Sequence, residues 1–216
     1  MRNRNPGLWV GGGIAGVASI VAYLLAIAVP WPETQLGTSA GLLVAAAFPI
    51  LGIVYSYALC SFVAAERDGA ANRLGLLFAV AGFSTLMAML VVQLAVGSGI
   101  GEFTRGLDAE TARALRRGLR LVDLGLDVAW DLLMSTGLLF WGVAIRKRSG
   151  LGPGWGLPLV ILGLGLIGFN AATFPWPPGD HGLVDLGPVT GLFMLALAGR
   201  LALLGRRASV EAAATA

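Results

Sequence analysis

Charged side chains are scarce in this sequence of 216 residues, where only 12% of the residues are charged and 56% are hydrophobic. A soluble domain usually carries about 25% charged residues. The scarcity excludes an ordinary soluble globular protein and favours a polytopic helical membrane protein. The net charge of +3 comes from Arg and Lys near the ends of apolar runs. We therefore expect the lipid bilayer as a partner and expect no nucleic acid.

Cysteine and histidine are each present once, as Cys60 and His181. A single cysteine excludes an intrachain disulfide. One histidine and one cysteine are too few for a zinc site or for bis-histidine haem ligation. The sequence also contains no glycine-rich phosphate loop. We therefore expect no metal and no cofactor, and these absences favour a protein that is not an enzyme.

Six apolar runs are each long enough to cross the hydrocarbon core, which takes about 20 helical residues. The first is longer than the apolar core of a signal peptide, which is about 7–15 residues, so we expect it to be retained. The predicted fold class is all-α, a six-transmembrane-helix bundle forming one domain over residues 1–207, with a short flexible C-terminal tail at 208–216. The predicted spans are about 8–29, 40–64, 73–97, 121–145, 155–174 and 185–205.

Tryptophans within three residues of a proline mark both ends of the first and fifth spans. Trp9 and Trp31 are 22 positions apart, and Trp155 and Trp176 are 21 positions apart. At 1.5 Å per residue these separations are about 32 Å, close to the distance between the two interfacial aromatic belts. The repeat predicts that spans one and five run in the same direction. An even number of spans then separates their starts, which supports the count of six.

The positions of Arg and Lys in the connections predict the orientation. With six spans, one side of the membrane carries most of the basic residues, and the connection between spans three and four carries the others. The majority predicts cytoplasmic N- and C-termini in a multi-pass protein of the cell (inner) membrane. The majority side has Arg2, Arg4, Arg67, Arg73, Arg146, Lys147, Arg148, Arg206 and Arg207, and the other side has Arg105, Arg113, Arg116, Arg117 and Arg120.

The connection between spans three and four has helical character. Asp108 can cap a helix, and Ala112, Leu115 and Leu119 follow at helical spacing with arginines on the opposite side. This pattern predicts an outer amphipathic helix between helices 3 and 4. It could lie at the membrane interface or extend span four beyond the membrane.

Three aspartates lie four residues apart in span four: Asp123, Asp127 and Asp131. Four-residue spacing places them on one face of a helix, and a continuous helix adds Arg116 and Arg120 to the same sector. We expect Arg120 to pair with Asp123 near the interface. Carboxylates deeper in the membrane are costly and often functional. Asp127 and Asp131 are therefore the predicted binding groups for a proton or cation.

Other polar residues are expected at the level of these aspartates. Gln93 and Asn170 could act as neutral donors, and Asp185 and His181 could support the site. Together they predict a polar cavity that opens outward. The intramembrane Arg200 is expected to extend its side chain to the inner headgroups. The alternative is that Arg200 pairs with Asp131.

Two segments, Leu126–Asp131 and Gly168–Pro175, resemble bacterial six-span membrane proteins of unknown function. The resemblance implies a six-span fold and a bacterial origin but no activity and no catalytic residues. From the aspartates we expect proton- or cation-linked binding or transport of a small solute. The alternative is a non-catalytic structural or accessory subunit of a larger membrane complex. Glycine-rich helix faces would then contact a membrane-protein partner or a second copy of the chain.

Overall fold

The computed structural model describes residues 5–29, 34–66, 68–148 and 150–215, apart from the side chains of Ile27 and Gln35. These residues form six long helices and one short 3-10 helix, with no strand among them. All six long helices are long and apolar enough to span a membrane, which confirms the predicted all-α, six-span fold class. They are α1 (Pro6–Ala28), α2 (Gln35–Ala64), α3 (Ala70–Phe103), α4 (Ala109–Ile145), α5 (Pro153–Thr173) and α6 (Gly187–Ala214).

Several residues used to predict the topology lie outside the described residues, namely Trp31, Arg2, Arg4 and Arg67. The other three tryptophans of the repeat are described. Trp9 is 2% exposed and packs edge-on against Phe62, so it is part of the core rather than of an aromatic belt facing lipid.

The six helices follow one another around the bundle. Each of the helices α1 to α4 packs along the next helix in the chain, and α6 packs along α1. Close approach in these pairs depends on glycine. A Cβ atom added at Gly13 would lie 2.6 Å from the backbone nitrogen of Ala202, and one at Gly142 would lie 2.7 Å from the carbonyl oxygen of Gly156. Since α5 and α6 touch only locally, the ring is least tightly packed between them.

The two ends of the bundle differ in packing. We call the end where α1 begins the terminus face, and the end with the α3–α4 connection the hairpin face. Buried apolar residues of all six helices meet in the terminus half, where Leu59, Leu138, Trp141 and Leu197 are almost fully buried. The buried members of the second cluster, in the hairpin half, come from α1, α2 and α3 only. The terminus half is therefore the better sealed of the two.

Helices α3 and α4 extend well beyond a bilayer. They contain 34 and 37 residues, so they are about 51 and 56 Å long against a hydrocarbon core of about 30 Å. The amphipathic segment is the first part of α4, which is continuous over Ala109–Ile145, so the segment extends span four as one of the two alternatives predicted. Residues 208–214 are also helical, because α6 continues to Ala214. The short flexible tail predicted at 208–216 thus begins as a helical continuation of α6.

Candidate functional site

The aspartate stripe of α4 turns from one neighbouring helix to another. Each step of four residues advances about 40° around a helix. Asp123 consequently reaches α3, Asp131 reaches α5, and Asp127 lies between them. At 1.5 Å per residue, the three lie about 33, 27 and 21 Å from Ile145 along the axis. If Ile145 marks one edge of a hydrocarbon core of about 30 Å, Asp127 and Asp131 lie inside it and Asp123 lies at the other edge.

Asp131 is joined to α5 by Asn170. The Asn170 Nδ2 donates to Asp131 Oδ2 at 2.9 Å and to the Leu166 carbonyl oxygen of its own helix at 3.0 Å. Asn170 is only 2% exposed, so its amide orientation is held by the surrounding side chains. The short distance between α4 and α5 depends on Gly163, where a Cβ atom would lie 2.7 Å from the Ser135 carbonyl oxygen. The structure thus brings together two of the four predicted site residues.

Gln93 does not join that pair. Its Nε2 donates to Asp123 Oδ1 at 2.7 Å, which links α3 to α4 nearer the hairpin face. The expected ion pair between Arg120 and Asp123 is absent from the described residues. The neutral amide of Gln93 takes that place, and Arg120 instead lines a groove between α3 and α4. The predicted set of four residues therefore divides into two separate hydrogen-bonded pairs.

Asp127 is half-buried and, within the described part of the chain, accepts no hydrogen bond. Its charge interacts with those of Asp123 and Asp185. The hydroxyl group of Tyr23 on α1 lies within electrostatic range of Asp127, Asp131 and Asp185. We call Asp127, Asp131 and Asp185, with Tyr23 and Asn170, the acidic site.

The sequence did not predict Tyr23 as a residue of the site. The available signal was a hydroxyl-bearing aromatic residue near the end of an otherwise apolar span. That signal is weak because tyrosine is also common at membrane interfaces.

Two residues of the connection between α5 and α6 were predicted to support the site, Asp185 and His181, and only Asp185 belongs to the acidic site. Asp185 is exposed, and its Oδ1 accepts a hydrogen bond from the Gly187 backbone nitrogen at 2.8 Å, so it also stabilises the start of α6. His181 ends the 3-10 helix Pro178–His181 and is exposed. Its imidazole forms no hydrogen bond or ion pair with any described residue. The structure therefore places Asp185 within electrostatic range of the two deeper aspartates.

Arg200 is not a partner of Asp131. Its Nε and Nη2 donate to the Gly150 carbonyl oxygen at 3.2 and 2.9 Å, in the connection between α4 and α5 on the terminus face. Gly150 has φ +80°, a left-handed conformation that glycine adopts readily and that turns the chain toward Arg200. The side chain thus reaches toward the terminus face, as expected, and the alternative pairing is wrong.

None of the described Arg or Lys side chains forms an ion pair with the acidic site. The ion pairs formed among the described residues lie elsewhere, between Arg73 and Asp68 and between Arg148 and Glu66. No group of three or more His, Cys, Asp or Glu side chains in the described ranges is arranged to hold a metal ion.

Comparison of the chain with protein-family models, curated proteins and solved structures finds no match in any of the three. The resemblance to bacterial six-span membrane proteins therefore stays a prediction. Function is therefore inferred from the geometry of the acidic site.

Proposed function

We propose that this protein binds a proton or a small monovalent cation at the acidic site and couples that binding to the passage of a small solute. In this proposal the hairpin face is the outer side of a cell (inner) membrane, and both termini are cytoplasmic. The observation that carries the proposal is the grouping of Asp127, Asp131 and Asp185 without a basic partner among the described residues.

Electrostatics explain why such a group would bind a cation. An ionised carboxylate inside a membrane is costly unless a counter-charge, a hydrogen-bond donor or water compensates it. Asn170 supplies one neutral donor to Asp131, and none of the described residues supplies one to Asp127. A proton or a cation would provide the missing compensation. Asp127 is then the group that exchanges, and Asn170 positions Asp131 beside it.

The packing of the bundle supports an approach from the hairpin face. All six helices seal the terminus half, whereas α5 and α6 touch only locally. A solute that enters from the hairpin face would meet Tyr23 and the three carboxylates before it reached the sealed half. Alternating access would then require α5 and α6 to move relative to the other helices.

The proposal is tested with the full-length protein purified in detergent. Thermal unfolding is measured in NaCl, KCl or LiCl against choline chloride at constant ionic strength, because a ligand that binds only the folded state raises Tm. We expect one of these cations to raise Tm, and Asp127→Asn and Asp131→Asn to remove the increase. Asp123→Asn is the matched control, because it removes the same charge from the same helix at a residue bonded to Gln93.

A proton would be detected separately. A weakly buffered sample with a pH-sensitive dye should show proton release when the cation is added, if the two compete for one carboxylate. No Tm increase with any cation together with no proton release would contradict cation binding at the acidic site. An equal loss of the Tm increase in the Asp123→Asn control would also contradict the proposal, because the increase would then depend on the total negative charge of α4 and not on the acidic site.

A second candidate, a non-catalytic accessory subunit, is favoured by one exposed face of α5. Gly168 and Ala172 are four residues apart and exposed, and a Cβ atom at Gly168 would meet no atom within 4 Å. Small residues at this spacing allow membrane helices to approach closely. Purification from native membranes separates the candidates, since a stoichiometric partner lost in Gly168→Leu but kept in Gly154→Leu would favour the subunit.

A further inference from the structure

A groove of about 280 Å³ lies between α3 and α4 beyond the aspartate stripe. We call it the hairpin groove. Its apolar wall includes Val96, Ile100 and Leu119, and its cationic side is formed by Arg116 and Arg120. Gln93 and Asp123 lie at its membrane-side end and are bonded to each other at 2.7 Å.

The two arginines form no ion pair with a described carboxylate. Arg116 Nη2 donates only to the Thr104 hydroxyl, at 3.4 Å, and both side chains are exposed. They are four residues apart, so they lie on the same face of α4, where like charges repel each other. An anion between them would remove that repulsion and satisfy several N–H donors.

The level of the groove relative to the bilayer indicates what kind of anion fits. Arg120 and Arg116 are about 38 and 44 Å from Ile145 along α4, if the helix rises 1.5 Å per residue. With a hydrocarbon core of about 30 Å, these positions fall in or just beyond the headgroup layer of the hairpin-face leaflet. A groove at this depth, apolar on one side and cationic on the other, matches the junction between a phosphate headgroup and its acyl chains.

We propose that the hairpin groove binds an anionic phospholipid by its phosphate group. Arg116 and Arg120 hold the phosphate, because guanidinium groups bind phosphate oxygens through paired hydrogen bonds. The groove is too small for a whole lipid, so it takes the headgroup and the first acyl carbons while the tails stay in the bilayer. This proposal does not depend on cation binding at the acidic site.

The test uses the full-length protein in detergent micelles with pyrene-labelled phosphatidylglycerol as the probe and labelled phosphatidylcholine as the neutral reference. We expect the double variant Arg116→Gln/Arg120→Gln to lose roughly tenfold or more in affinity for phosphatidylglycerol, since it loses charge-assisted hydrogen bonds. Arg113→Gln/Arg117→Gln is the matched control. It removes the same charge from exposed positions of α4 that do not line the groove, and its affinity should stay within about twofold.

A second variant tests the groove without changing charge. Gly97 lines the groove, and a Cβ atom there would meet nothing within 4 Å, so Gly97→Leu adds side-chain volume at the groove wall from an open backbone position. We expect it to weaken phosphatidylglycerol binding. Gly101→Leu, on the same helix and equally open but outside the groove, should bind normally.

Three outcomes would overturn the proposal. Equal losses in both arginine pairs would show attraction by general charge rather than by the groove. Normal binding in both Arg116→Gln/Arg120→Gln and Gly97→Leu would show that the lipid binds elsewhere. Displacement of the probe by inorganic phosphate at the same concentration as by unlabelled phosphatidylglycerol would identify a soluble anion as the ligand.

Discussion

Asn170 on α5 donates a hydrogen bond to Asp131 on α4 at 2.9 Å, with the amide almost completely buried. The two residues are 39 positions apart in the sequence and belong to helices packed closely through Gly163. The bond compensates one of two carboxylates expected inside the hydrocarbon core and holds the two helices at a fixed register.

Asn170→Leu should reduce the stability of the bundle. Leucine has a similar branched shape, although it is larger, and it donates no hydrogen bond, so Asp131 loses its partner. Interhelical hydrogen bonds in membrane proteins contribute about 0.6 kcal/mol on average and about 1.7 kcal/mol at most, so we expect a loss of about 1 kcal/mol. The free energy of unfolding is measured by titration with denaturing detergent.

Thr173→Val is the control for Asn170→Leu, because the buried Thr173 hydroxyl donates only to Phe169 of its own helix. Thr173→Val should lower the free energy of unfolding by less than Asn170→Leu does. A double-mutant cycle with Asp131→Asn should show coupling between positions 131 and 170. Strictly additive effects would show that the bond contributes nothing to stability.

Two glycines of α5 should respond differently to the same substitution. Gly163→Ala places a Cβ atom 2.7 Å from the Ser135 carbonyl oxygen, so α4 and α5 must separate, at a cost of about 1–3 kcal/mol. Gly168→Ala meets no atom within 4 Å and should be neutral or slightly stabilising, because alanine favours helix more than glycine does. Thermal unfolding of the two variants checks this, and equal effects would contradict the close packing of α4 and α5.

The start of α4 should loosen in acid. The Asp108 carboxylate accepts hydrogen bonds from the Thr111 hydroxyl and from the backbone nitrogens of Thr111 and Glu110, and these bonds lower the pKa of Asp108. The ionised Asp108 therefore stabilises the start of α4. This stabilisation is complete above the unfolded-state pKa of about 4 and is lost as the pH falls through the lower pKa of the folded state.

Amide hydrogen exchange in residues 109–115, corrected for intrinsic rates, measures this loosening between pH 6 and pH 3. Asp108→Asn keeps a capping side chain but cannot titrate, so it should remove most of the pH dependence. Asp108→Ala should exchange rapidly at both pH values. Loosening in acid that persists unchanged in Asp108→Asn would assign the effect to another group.

The orientation is tested with single cysteines in a Cys60→Ser background. Ala109→Cys lies on the hairpin face and Ala212→Cys lies beyond the terminus face, and neither changes the charge. A membrane-impermeant maleimide added to intact cells should label Ala109→Cys, whereas Ala212→Cys should be labelled only after permeabilisation. The reverse pattern would place the hairpin face in the cytoplasm and the acidic site open to that side.

The candidate site was only partly predictable from the sequence. Helix periodicity correctly grouped Asp123, Asp127 and Asp131, since side chains four residues apart share a face. It could not show that Asp123 bonds to Gln93 while Asp131 bonds to Asn170. That division depends on which helices flank α4. The contribution of Tyr23 was equally hidden, because nothing local in α1 indicates which helix it faces.

The number and type of the spans were determined by the sequence alone. Each apolar run must satisfy its own backbone hydrogen bonds within the bilayer, so a local pattern is enough to predict a helix. Tertiary structure alone decided the order of helices around the bundle, the unequal packing of its two halves and the partners of Asp131 and Arg200. These features depend on side chains far apart in the chain and on glycines that fit one neighbour, and such pairings leave no periodic signal in a single sequence.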